Sequence, residues 1–291
     1  MDKIDIPTES LKELPQDDRD FSLGAIFPQG KIENVPLTDF IVAIPKGIKN
    51  QGNSDLCSGY AVTAVSEDQE GVELLPEYQF YKTKKISGNM EGWGADLRDA
   101  CKSVVKYGSL PAQGYEKIKG LSRSRVVSDE TWEDAMDGIA NLYKKETYFS
   151  ITGKYDTFDN IRLALWENID RKSSIVTGAK WRTEWLYAEG GIIPESYGNN
   201  GFGHAFKIFG QKNINGQLYL VAQLSQGEEY GDKGIFYLSR SVVNREIGKY
   251  GLYMFKDISR EDAEFFLKNK ISIKANLIQK LWAVFISLFR K

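Results

Sequence analysis

The 291-residue chain holds only two cysteines and one histidine, and that scarcity excludes several chemistries. Two cysteines cannot build the disulfide framework of a small secreted scaffold. One histidine and two distant cysteines form no ligand cluster, so neither a metal nor another cofactor is expected. No segment reaches the ~18 consecutive apolar residues that a membrane-spanning helix needs. The opening stretch "MDKIDIPTESLKELPQDDRDF" has no apolar run, which argues against a secretory signal. A net charge of −2 supplies no bulk attraction to nucleic acid or acidic lipid. The expectation is a cytoplasmic or otherwise non-secreted protein without nucleic-acid partners, for which a bacterial or phage setting is suitable.

The patterning divides the chain into three parts. Residues 1–38 are polar and interrupted by Pro7, Pro15, Pro28 and Pro36, and they read as an extended arm that packs along the domain surface. Helical spacing follows over Cys57 to Glu70, with Ser54 and Asp55 as N-cap choices. Asp96 to Tyr107 predicts a second amphipathic helix ending at Gly108, and Asp129 to Lys145 and Phe158 to Asn168 predict two more. From about residue 172 short β-branched and aromatic runs take over, divided by glycine: "SSIVTGA", "GHAFKIFGQK", "GQLYLVAQLS" and "KGIFYLS". Asn215-Gly216 inside "NINGQ" is a hairpin signal. Helices first and an antiparallel sheet after them predict an α+β fold over residues 39–257. Residues 258–291 form a tail in which Leu277 to Phe289 is mostly apolar. That segment is too short to span a bilayer and too apolar to stand in water, so it is expected to dock on a protein partner, on the chain itself or on a membrane surface.

The stretch "NQGNSDLCSGYAV" places Cys57 at the start of the first helix. A thiol near pKa ~8.5 is a weak nucleophile until an imidazole and a helix N-terminus stabilise its anion. His204 is the one imidazole in the chain. Gln51, six residues before Cys57 across a glycine-containing loop, can reach back as the donor that a developing oxyanion requires. Cys101 has no such company and reads as a core residue of its helix.

"KNQGNSDLCSGYAV" resembles the active-site segment of papain-like cysteine proteases, in which a Gln-Gly precedes the nucleophile by the same interval. "GHAFKIFG" is similar to that family's Gly-His-Ala strand, and "LSQGEEYGDKG" to its later turn. His204 follows Cys57 by 147 residues, inside the roughly 130–150 window of the family. The resemblance runs from about Asp39 to Phe255. It implies a two-lobe fold, a helical lobe followed by an antiparallel sheet or barrel lobe, with a cleft between them. It implies catalysis by Cys57 and His204 with Gln51 at the oxyanion, on a peptide or protein substrate. Gly94 and Ala95 then line the cleft as backbone partners of an extended substrate, and Gly203 lines it from the histidine strand.

The departures are specific. Ser58 stands where the family has an aromatic, and Ser54 where it has a structural cysteine, so that disulfide is absent. The family's histidine-orienting asparagine falls on Leu224 and its shielding tryptophan on Gln226. On a regular strand Leu224 and Gln226 share a face, which makes Gln226 a substitute orienter, or Gln223 if the register slips by one. Two alternatives follow: an inactive papain-fold protein kept for binding or assembly, and another acyl transfer on the same Cys–His pair, such as deamidation, isopeptide cleavage or transglutamination.

Overall fold

The computed structural model describes Leu11, Leu14 and residues 30–256. Backbone contacts divide the chain into a compact unit, Met1–Lys256, and a second unit, Asp257–Lys291, which lies outside the described residues. The expectation for the apolar segment Leu277 to Phe289 therefore falls outside them as well.

The first half is helical. Helix α1 (Cys57–Glu70) is flanked by α2 (Pro76–Ser87) and α3 (Leu97–Tyr107). Gly59 lets α1 and α2 touch backbone to backbone, since a Cβ there would stand 2.5 Å from the Pro76 carbonyl oxygen. Asp96 caps α3 through its carboxylate, as the sequence pattern implies. The start of α1 departs from expectation: its N-cap is Leu56, with no side-chain capping bond. Ser54 and Asp55 are committed elsewhere, Ser54 Oγ to the Gln51 carbonyl at 2.7 Å and Asp55 to residues across the lobe.

The helix expected over Asp129 to Lys145 is broken. Only α4 (Asp134–Ala140) is helical in the α sense, between 3₁₀ turns at Asp129–Thr131 and Asn141–Tyr143. Trp132 causes the break: its indole donates to the Val126 carbonyl at 2.8 Å and its ring stacks on Tyr81 at 5.1 Å. Those contacts hold residue 132 extended, and tertiary packing overrides local propensity. Helix α5 (Thr157–Glu167) follows, capped by Asp156.

The second half is an antiparallel sheet. Strands β2 (Thr147–Ser150), β3 (Ile175–Trp181), β4 (Phe202–Ile214), β5 (Gln217–Gln223), β6 (Ile235–Ser239) and β7 (Leu252–Lys256) lie in the order β2-β7-β3-β4-β5-β6, and a two-residue β1 (Phe40–Ile41) pairs with β4. Asn215 and Gly216 both take positive φ, +52° and +85°, the type I′ geometry that joins β4 to β5. A short helix α6 (Arg240–Glu246) follows β6. Apolar residues between the sheet and helices α5 and α6 form the largest core, around Trp181, Phe206, Leu238 and Val242.

Helix α1 packs on β3 and β4 and joins the halves. It is buried around most of its circumference, so its polar residues need internal partners. Glu67 takes Lys49 Nζ at 2.5 Å and the Leu74 amide at 2.7 Å. Asp68 takes Lys207 Nζ of β4 at 2.9 Å and Ser174 Oγ at 2.5 Å. Burial raises the Asp68 pKa and lowers that of Lys207, while their mutual attraction opposes both shifts.

Candidate active site

Cys57 is the first residue of α1, where the helix end favours negative charge. Its side chain is fully buried and in no disulfide. It packs in an apolar cluster with Ala61 and Val62 of its own helix, Cys101 of α3, Ala205 of β4 and Leu11.

Gln51 is fixed from the sheet side. Its backbone N–H donates to the Ser225 carbonyl at 2.8 Å, and its side-chain Oε1 accepts from Ser225 Oγ at 2.7 Å. An antiparallel bridge between Asn50 and Gln226 extends the attachment. Because the hydroxyl takes the carbonyl end of the amide, Nε2 is directed the other way, where it donates to the Ser54 carbonyl at 2.8 Å. An amide NH₂ carries two hydrogens, so that single bond leaves one donor for an oxyanion.

His204 lies on β4 opposite Ala179 of β3 and is fully buried. Trp181 and Phe202 meet the imidazole edge-on, with ring centroids 6.4 and 5.8 Å away. Neither ring nitrogen has a hydrogen-bond partner among the described residues. Desolvation alone pushes its pKa down to about 3, so the ring is neutral throughout the physiological range.

Neither glutamine holds the ring. Gln223 donates instead to the Gly47 carbonyl at 3.0 Å, which commits its amide to the loop before Gln51. Gln226 is buried with its Nε2 unbonded. Strand alternation does not decide how Leu224 and Gln226 face, because β5 ends at Gln223. Leu224 itself is a member of the main apolar core, with Trp181 and Phe206.

Gly94 and Ala95 sit just before α3. Gly94 donates its N–H to Asp55 Oδ2 at 2.8 Å and accepts Lys84 Nζ at its carbonyl at 3.0 Å, so both of its backbone groups are bonded within the lobe. Ala95 is the residue that pairs outward, in a parallel bridge with Leu11.

Leu11, from the expected arm, is 5% exposed. Its backbone runs along Ala95 on one lobe and over Gly203 on the other: a Cβ on Gly203 would stand 2.2 Å from the Leu11 carbonyl oxygen. A Cβ on Gly178 would stand 2.3 Å from Leu11 Cδ2. The two missing side chains make a slot for an extended segment and a pocket for an aliphatic side chain. That pocket is completed by Val176, Ala205 and Tyr250 of the same apolar cluster. Leu14 continues the path, donating its N–H to the Lys249 carbonyl at 2.8 Å.

Sequence reasoning named Cys57, His204, Gln51, Gly94, Ala95 and Gly203. It missed Leu11, Gly178 and Tyr250, whose signal is proximity across nearly the whole length of the chain. Ser225 lay within a noted motif, but its bond to Gln51 carries no sequence signature.

No family model matches the chain. The Cathepsin B-like cysteine proteinase 3 of Ostertagia ostertagi is 21% identical over 150 residues, covering 52% of this chain and 85% of that protein. Among solved structures, xylellain, a cysteine protease from Xylella fastidiosa, superposes with a TM-score of 0.70 at 17% identity, covering 89% of this chain and 99% of that one. The bromelain protease of Ananas comosus gives a TM-score of 0.55 at 16% identity, over 76% of this chain and 100% of that one. A helical lobe, an antiparallel sheet lobe and these superpositions together give one conclusion: the chain has the papain-like cysteine protease fold.

Proposed function

We propose that the chain is a cysteine peptidase whose cleft is covered by its own residue Leu11. Cys57 attacks the scissile carbonyl, and His204 takes the thiol proton and returns it to the leaving amine. The second Nε2 hydrogen of Gln51 and the Cys57 backbone N–H stabilise the oxyanion. The observation that supports this reading is Leu11: its backbone lies against Ala95 and Gly203 and its side chain in the Cys57 cluster, as the backbone and side chain of a bound peptide residue would. A neutral His204 belongs to the covered state, since burial is what lowers its pKa.

The test is hydrolysis of a fluorogenic peptide with leucine two residues before the scissile bond, by the full chain and its Leu11→Ala variant. Turnover should be faster in Leu11→Ala, vanish in Cys57→Ser and His204→Ala, and persist in Cys101→Ser. Release of the free acid marks hydrolysis, whereas appearance of an amide with an added amine marks transfer.

A binding scaffold is the second reading, favoured by the two unbonded ring nitrogens of His204 and by Leu224 in the apolar core. It wins if Leu11→Ala turns over no peptide and leaves Cys57 no more reactive than Cys101.

A further inference from the structure

On the peptidase reading the substrate edge of the cleft is the chain segment from Met90 to Ala95, and the carbonyls of Met90, Glu91, Gly92 and Gly94 accept from two cations. Arg123 Nη2 donates to the carbonyls of Met90 at 3.3 Å, Glu91 at 2.8 Å and Gly92. Lys84 Nζ donates to the carbonyls of Gly92 at 2.6 Å and Gly94 at 3.0 Å. The carboxylate of Asp55 joins the same loop: its Oδ2 takes the Gly94 N–H and stands 3.0 Å from Arg123 Nε, an ion pair whose N–H is not aimed at the oxygen. The Asp55 side chain is wholly buried, and Arg123 also lies over the exposed ring of Trp93.

This arrangement is costly unless it does something. A buried carboxylate and a buried ammonium are stabilising only when their hydrogen-bonding capacity is filled; here Lys84 donates to carbonyls of one short loop, whereas Asp55 takes the Gly94 N–H and Arg123 on Oδ2 and leaves Oδ1 without a hydrogen bond. "NMEGWGA" has no regular secondary structure to fix it and carries two glycines. Asp55 stands two residues before Cys57, so the same carboxylate is tied covalently to the nucleophile's helix and by hydrogen bond to the substrate edge. Ser54 beside it occupies the position of the absent structural cysteine, and no disulfide joins these segments.

We infer that Asp55, Arg123 and Lys84 are positioning residues: they turn the backbone of residues 90–94 into the lobe, so that the edge pairs with an extended peptide at Ala95 and in fixed register with Cys57. The inference rests on the peptidase reading for its kinetic consequence but not for its structural one. Removing the clamp frees the edge without touching the thiol, so peptide binding weakens while the chemical step persists. Arginine suits this place because its Nη2 reaches the loop carbonyls while its Nε side lies beside the Asp55 carboxylate, a span that a compact ammonium covers less well.

The experiment uses full-length Asp55→Asn, Arg123→Ala, Arg123→Lys and the unaltered chain. Hydrogen exchange is read by mass spectrometry over residues 88–96, and kcat and KM are measured on the leucyl fluorogenic peptide. Arg123→Ala should raise KM about tenfold, equivalent to roughly one lost charge-assisted hydrogen bond, with kcat within about twofold. Arg123→Lys should recover part of the KM loss, and exchange at residues 90–95 should accelerate in Arg123→Ala and in Asp55→Asn. Unchanged exchange in both variants overturns the clamp, and so does a fall in kcat at constant KM. If neither the unaltered chain nor Leu11→Ala turns over the peptide, the peptidase reading fails, and exchange alone then decides the clamp.

Discussion

Leu11→Ala tests whether one side chain covers the nucleophile. The leucine is 5% exposed, and its substitution removes three buried carbons from the cluster that contains Cys57. At ~0.8 kcal/mol per buried methylene, that is about 2.4 kcal/mol of docking energy. At 1.36 kcal/mol per decade, the uncovered population grows roughly 50-fold. When uncovering is fast relative to alkylation, the labelling rate follows that population. Iodoacetamide at pH 7 should therefore modify Cys57 roughly 50-fold faster in the variant, as read by mass spectrometry of the two cysteine peptides. Cys101 provides the internal control: it is also fully buried, on α3, and belongs to the same cluster. Global destabilisation would accelerate both cysteines together, whereas release of Leu11 accelerates Cys57 alone. A Cys57 rate within about threefold of the unaltered chain would refute the reasoning, because less than ~0.7 kcal/mol would then have held the residue in place.

Three further outcomes follow from the same geometry. His204 has a folded pKa of about 3 against an ordinary 6.5, so the unfolded chain binds the extra proton first as pH falls. Its contribution leaves stability unaffected above about 6.5, erodes it below that value and stops near 3, which amounts to about 3 kcal/mol between pH 7 and pH 4. Urea unfolding at both pH values should show that loss shrinking in His204→Gln; an identical pH dependence in the variant refutes it. Lys207→Met should destabilise by about 3–5 kcal/mol because it strands the Asp68 carboxylate between the lobes, and adding Asp68→Leu should restore most of the loss. Urea midpoints measure both, and a single variant as stable as the parent would contradict the burial argument. Leu224→Asn should raise peptidase activity in the Leu11→Ala background if the new amide reaches an unbonded ring nitrogen of His204; no change in kcat would show that residue 224 does not orient the imidazole.

The amino-acid order alone made much of the fold legible. Cys57 to Glu70 is helical in both pattern and structure, and Asn215-Gly216 makes its hairpin because both residues tolerate positive φ. These are local matters: spacing, capping and turn chemistry act within a few residues. The site was legible where the resemblance supplied spacing, at Cys57, His204 and Gln51. Elsewhere local reasoning broke down. Asp129 to Lys145 carries helical periodicity, yet Trp132 is drawn away by Tyr81 and Val126. Asp55 reads as an N-cap, yet its carboxylate serves Gly94 and Arg123. Leu11 reads as one aliphatic residue in a polar arm, yet it fills a pocket left open by Gly178 and Gly203. Each of these outcomes depends on which distant group offers burial or a hydrogen bond, and only the folded chain brings residue 11 to residues 95, 178 and 203. The sequence determined the elements and the reactive groups; tertiary packing decided which of those groups are covered, which are paired, and with what.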